Sequence, residues 1–178
     1  MNLSTTDRLL ALHHAQDIGL KEFHLLTSAR ASVQHQLLSL PAWSSLSPSE
    51  QALADPCLYE CARNAALLYC NAVVRPVLPG SKGVREPIRR LRQALGTVPP
   101  GALLGADCNA IVLWGLVLGS LESYSTEHWA FFVTALRDHL EQHGVGSVDE
   151  TVQTVRTFVW SDNTCRRGLE VVWGTMYG

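Results

Sequence analysis

Ala110-Ile-Val-Leu-Trp-Gly-Leu-Val-Leu-Gly119 is the stretch from which the architecture is read. Ten successive residues without a polar side chain leave no solvent face, so a helix built on them belongs in an interior. The run is about half of the roughly twenty apolar residues that a bilayer-spanning helix needs. It therefore reads as a buried core helix, Ala102–Leu121, carrying Trp114. Working towards the C-terminus, Glu122–Ser125 is a polar break, and Ser125 or Thr126 is placed to cap a helix running to Gln142. Trp129, Phe132, Val133, Leu136 and Leu140 form its inner face, and Gly144 and Gly146 end it. Ser147-Val-Asp-Glu150 has the form of a capping box, opening a helix expected to bury Val148, Val152, Val155, Phe158 and Val159 and to end near Trp160. Asp162-Asn-Thr164 caps a last helix with Leu169, Val172, Trp173 and Met176 inside.

Towards the N-terminus, Val84–Leu95 (VREPIRRLRQAL) sets Ile88, Leu91 and Leu95 on one helical face and Arg85, Arg89, Arg90 and Arg92 on the other, with Gly96 as its stop. Pro76, Pro79, Gly80 and Gly83 make a loop before it. Asp55-Pro56 is an N-cap followed by a first-turn proline, and the helix it opens extends to about Val74. Pro41–Ser49 is turn-rich; before it, Thr6 to Leu40 is proline-free with leucines at mostly helical spacing, one long helix or two broken near Gly19. No run alternates with period two, so the expectation is an all-α, single-domain bundle of six or seven helices over residues 1–178, with an N-terminal helical region and loop (1–50) and a helical core (55–175).

The 178 residues are 47% hydrophobic and 17% charged, which supplies a core and excludes disorder. Sixteen acidic against fourteen basic residues give a net charge of −2 and no global attraction to a phosphate backbone, so no direct nucleic-acid partner is expected. Five cysteines, an odd number without a dense framework, fit a reducing compartment, and the N-terminus has no signal-peptide pattern. A nuclear or cytoplasmic protein with no membrane partner is the expectation.

Motifs that carry chemistry are sparse. There is no glycine-rich phosphate cradle and no Gly-x-Ser-x-Gly elbow. Cys57 and Cys61 share a helical face and could hold a metal, though their apolar neighbours favour buried thiols. His139 and His143 have the spacing of half a zinc site, against which stands an exposed helix end where histidine favours the dipole; of His13 and His14, on neighbouring directions, at most one could join it. No metal and no cofactor are assigned. The arginine cluster suits carboxylate or phosphate recognition, or is simply a solvated face. Trp114 and Trp129, with Tyr69 and Asn109, either pack the core or line a pocket for an apolar ligand. Asp107, Glu122, Tyr124 and His128, on or just after the Trp114 helix, are the candidates for proton transfer in such a pocket.

Taken in order, Leu113-Trp-Gly-Leu-Val-Leu-Gly119, His128-Trp-Ala-Phe-Phe132 with Leu136, Ser147-Val-Asp-Glu150 with Phe158-Val-Trp160, then Cys165 and Leu169-x-x-x-Trp173 form a pattern, which Ala-Ala-Leu-Leu-Tyr in the Cys57–Val74 helix extends upstream. It resembles the C-terminal part of the fungal-specific transcription factor domain, the helical regulatory region of zinc binuclear cluster regulators, over roughly Asp55 to Trp173. The resemblance implies an all-α regulatory module that senses small molecules, contacts partners or forms a homodimer. The six closely spaced cysteines and basic segment of the zinc cluster are not in these 178 residues. Two functions are therefore expected in competition: a regulatory module binding a partner protein or a small apolar effector, and a small enzyme of fungal secondary metabolism that cyclises or moves a proton on a hydrophobic substrate. Fold alone does not choose between them.

Overall fold

The computed structural model describes residues 38–52, 55–74, 81–98 and 105–178, with residues 25, 28, 29, 31, 32, 35 and 36 before them. Most of the helix expected between Thr6 and Leu40 lies outside these residues, as do His13, His14 and the loop 75–80. Among the described residues there are seven α-helices and no strand: α1 Pro48–Gln51, α2 Pro56–Tyr69, α3 Lys82–Gly96, α4 Ala106–Glu122, α5 Trp129–Gln142, α6 Val148–Val155 and α7 Arg167–Tyr177. A 3₁₀ turn, Trp43–Ser45, precedes α1, and wide π-type turns prolong α2 over Cys70–Val74 and lead into α7 over Asp162–Arg166. None of these helices is long and apolar enough to cross a membrane.

The charge-free run dictates the packing. Nine successive residues of α4, Val112 to Ser120, are buried, so every side of the helix needs a cover. α2, α3, α5, α6 and α7 supply it, and the helices form an all-α bundle around α4. Two glycines set how closely the neighbours approach. A Cβ on Gly115 would lie 2.7 Å from Cys61 Sγ on α2, and one on Gly119 would overlap three ring atoms of Phe132 on α5. α4 also anchors the chain after α6: the Trp114 indole N–H donates to the Val159 carbonyl at 3.1 Å, and its ring stacks on Phe158 at 5.2 Å.

Local chemistry explains most boundaries. Asp55 accepts from the backbone N–H groups of Cys57 and Leu58 at 2.8 and 3.0 Å, satisfying two orphan donors at the start of α2. At the end of α5, Gly144 sits at φ +65°, where only glycine is unstrained, and Val145 N–H reaches back to the Leu140 carbonyl. Ser147 caps α6 through the Glu150 N–H, and the Glu150 carboxylate bonds the N–H of Gly146, one residue further back than a capping box reaches.

Three expectations are corrected. α6 ends at Val155 and not near Trp160, because the chain tightens through Thr157 and Phe158 and then extends, which carries the Val159 carbonyl to Trp114. Ser125 is not the cap of α5; it is a left-handed turn residue at φ +63°, and Thr126 Oγ1 accepts from the His128 N–H. α3 starts two residues earlier than its apolar face, so Pro87 falls in its interior. Proline has no N–H for the carbonyl of residue i−4, Gly83. Asn71, 9% exposed in the turn after α2, supplies the donor instead at 2.9 Å.

Candidate functional site

α3 presents its basic face between two walls. Val84, Ile88, Leu91, Ala94 and Leu95 point into the core, which leaves Lys82, Arg85, Arg89 and Arg92 outward at intervals of three and four, with Gln93 beside them. On one side, Ala42, Trp43 and Ser44 with the start of α2 enclose a cleft of about 690 Å3 against Arg89, Arg90, Gln93 and Thr97. The segment before α1 is held there by Trp43 N–H donating to Glu60 Oε1 at 2.7 Å, Tyr59 O–H donating to the Pro41 carbonyl at 2.8 Å, and a tilted Trp43–Tyr59 ring contact. On the other side, the turn Ser125–His128 closes a cleft of about 610 Å3 over Lys82, Arg85, Glu86 and Arg89, and a further 430 Å3 lies between Arg92, Gln93, His128 and Phe131. Arg89 lines all three.

Charges along the furrow are partly paired. Glu86 accepts from both Arg89 and Arg90, at 2.8 and 2.7 Å, and the two guanidinium groups hold its carboxyl down at about 2. All three side chains are solvent-facing, so these pairs contribute little to stability. Arg92 has only donors to offer, so its Nη1 donates to His128 Nδ1 at 3.0 Å, and its guanidinium lies 5.1 Å from the centre of the Phe131 ring. That holds Arg92 in place beside the cleft.

The residues singled out from sequence fall in three places. Asp107 and Asn109 are in the first turn of α4, and Glu122 is in its last. Fifteen residues at 1.5 Å each separate Asp107 from Glu122 by roughly 22 Å, so they do not share a site. Glu122, Tyr124, His128 and Trp129 are gathered at the α4–α5 corner, where Tyr124 is exposed with its ring edge-on to Trp129 at 5.5 Å. The Trp129 indole N–H is buried with no hydrogen-bond partner among the described residues. Trp114 and Tyr69 are core residues, 5% and 1% exposed. Of the proton-transfer and pocket candidates His128 alone is among the described lining of the clefts beside α3, together with Cys57 and the four arginines singled out as a cluster. Lys82, Gln93, Glu127 and Phe131 line them without having been singled out, because the walls come from segments distant in sequence.

Cys57 and Cys61 donate weakly to the carbonyls of Ala94 and Ile111, on α3 and α4, and burial raises both thiols. His139 is not the exposed helix-end histidine expected: burial first, then His143 with its ring 4.4 Å away, pushes it down from 6.5 to about 4. A dipole-favoured imidazolium would show the opposite shift.

Glu122 moves the other way. Burial raises its carboxyl from 4.5 to about 7, and no described residue pairs with it. The folded chain therefore holds a proton on Glu122 between pH 4.5 and 7 that the unfolded chain has released, so this stabilisation is full below 4.5 and lost as pH rises through 7. His139 contributes the reverse: the unfolded chain binds the proton between 6.5 and 4, so stability falls as pH drops through that window. The two slopes offset one another in the wild type. Glu122→Gln removes one of them. Urea denaturation is expected to show the variant gaining about 1–2 kcal/mol on wild type between about pH 4.5 and 8, after discounting for partial exposure. A difference that does not change with pH would contradict this reading of Glu122.

The described helices make an all-α bundle packed around α4, with a basic, cleft-bordered helix, α3, on its surface. The chain belongs to the fungal specific transcription factor domain family, whose family model matches residues 8–177. The match reaches well upstream of the Asp55–Trp173 region that carries the resemblance in sequence. No curated protein and no solved structure matches the chain.

Proposed function

We propose that the chain is the regulatory helical module of a fungal transcription regulator, acting in the nucleus as a single domain through contact with a partner protein and without touching DNA itself. Membership of the family supports the regulatory role. One observation favours a partner over an enclosed apolar effector: the interior site that Trp114 could have lined is taken by its own bond to Val159 and its stack on Phe158, while the clefts beside α3 open at the surface and are bordered by charged side chains. Fusion of residues 1–178 to a heterologous DNA-binding domain in a fungal host tests the role. Reporter transcription is expected to change relative to the DNA-binding domain alone; an unchanged reporter would refute a regulatory module.

The enzyme reading keeps one specific support. Glu122, its carboxyl raised by burial to about 7 at the end of α4, has the protonation behaviour of a general acid or base. It predicts that the purified chain converts a hydrophobic substrate in a fungal metabolite extract and that Glu122→Gln does not.

A further inference from the structure

We propose that the furrow along α3 docks an acidic, extended segment of the partner protein, with carboxylates on the arginine row and an apolar side chain against Phe131. The inference rests on the reading of the chain as a partner-binding module and names the surface and the chemistry of that partner.

Charge complementarity carries it. Among the described residues the three clefts are lined by five cations, Lys82, Arg85, Arg89, Arg90 and Arg92, against three carboxylates, Glu60, Glu86 and Glu127. Setting aside Arg85, which is engaged in an interaction of its own, four of these cations face the three carboxylates, on a chain whose net charge is −2. Glu60 is ion-paired with Arg63 at 3.7 Å, besides accepting from Trp43 N–H and Asn64, so it subtracts little from the furrow. Arg89 and Arg90 share the single carboxylate of Glu86, and their planar donor forks keep N–H groups to offer an incoming carboxylate. Arg92 is positioned in advance by His128 and Phe131, which lowers the ordering cost of binding.

Shape agrees with an extended occupant. α3 is 15 residues long, roughly 22 Å at 1.5 Å per residue, which is the length of about seven residues of extended peptide. The clefts are strung along this length with Arg89 at their junction. A nucleic acid fits less well. Glu86 and the exposed Glu127 interrupt the cationic row, where a continuous phosphate backbone would meet repulsion, and among the described residues Phe131 is the one Phe, Tyr or Trp lining the two clefts on that side, too few for a stacking platform.

Fluorescence anisotropy of the whole chain decides the matter. The probe is a labelled peptide of about a dozen residues alternating Asp or Glu with Leu or Phe, compared with its Asn/Gln counterpart and with a single-stranded oligonucleotide of equal charge. The acidic peptide is expected to bind, more weakly as salt rises, and the neutral one not to. Arg89→Glu should weaken binding at least about tenfold, Lys82→Glu should do so to a lesser degree, and Arg167→Glu on the exposed start of α7 should leave it unchanged. Both furrow residues are solvent-exposed, and circular dichroism of each variant checks the fold. Equal binding of the neutral peptide, tighter binding of the oligonucleotide, or wild-type affinity in Arg89→Glu and Lys82→Glu would each overturn the proposal. A reporter fusion that still responds while the acidic peptide fails to bind would discard the furrow and retain the regulatory module.

Discussion

Alanine in place of Gly119 is expected to destabilise the protein by about 2–3 kcal/mol, although the same change in an exposed helix stabilises by up to about 1 kcal/mol. The new Cβ would meet three atoms of the Phe132 ring, the farthest of them at 2.9 Å. Phe132 has no exposed surface, and its ring is wedged edge-on to Phe131 at 5.3 Å, so it has nowhere to retreat and α4 and α5 must move apart. Gly174 on α7 is the control: nothing lies within 4 Å of a Cβ there, and Gly174→Ala is expected to gain about 0.5–1 kcal/mol. Urea midpoints at constant slope measure both. Phe132→Leu combined with Gly119→Ala should cost less than the sum of the single changes by at least about 1 kcal/mol, since the smaller side chain vacates the contested space. Additive costs, or a stabilising Gly119→Ala, would show that the helices are not held at this distance.

Asn71→Leu is expected to lose about 1–3 kcal/mol, because it strands the carbonyl that Pro87 leaves without a backbone donor. Pro87→Ala supplies an N–H to the same Gly83 carbonyl and removes the clash of the proline ring with it. In the Pro87→Ala background the cost of Asn71→Leu should therefore shrink by about 1 kcal/mol or more. A double-mutant cycle followed by urea denaturation reads this coupling directly; a zero coupling energy would mean that Asn71 matters through packing alone.

How far each feature can be read from sequence follows from how local its cause is. The caps at Asp55 and Ser147, the stop at Gly144 and the buried α4 are set by residues within one or two turns, and each stands where the sequence places it. The end of α6 escapes such a reading because Phe158 and Val159 continue the apolar periodicity, while the reason the helix stops, the Trp114 bond to Val159, lies 45 residues away. His139 escapes it likewise: its place in the last turn of α5 is visible, its burial is not. The four-arginine face of α3 is visible as a stripe, but whether it faces open solvent or a furrow depends on residues 42–44 and 125–131 coming to lie beside it.

By itself, the sequence determined that this protein is all-α and that the Trp114 helix is its interior, readings that rest on periodicity, capping and composition acting over a few residues; its ordered motif string, separately, carries the resemblance to the fungal transcription factor domain. Tertiary structure alone decided that Gly115 and Gly119 are contact points, that Asn71 serves Pro87, that Trp114 is occupied and that α3 borders three clefts. Those outcomes depend on which helices meet and at what distance, and such pairings join residues far apart in the chain through close packing, which no local pattern encodes.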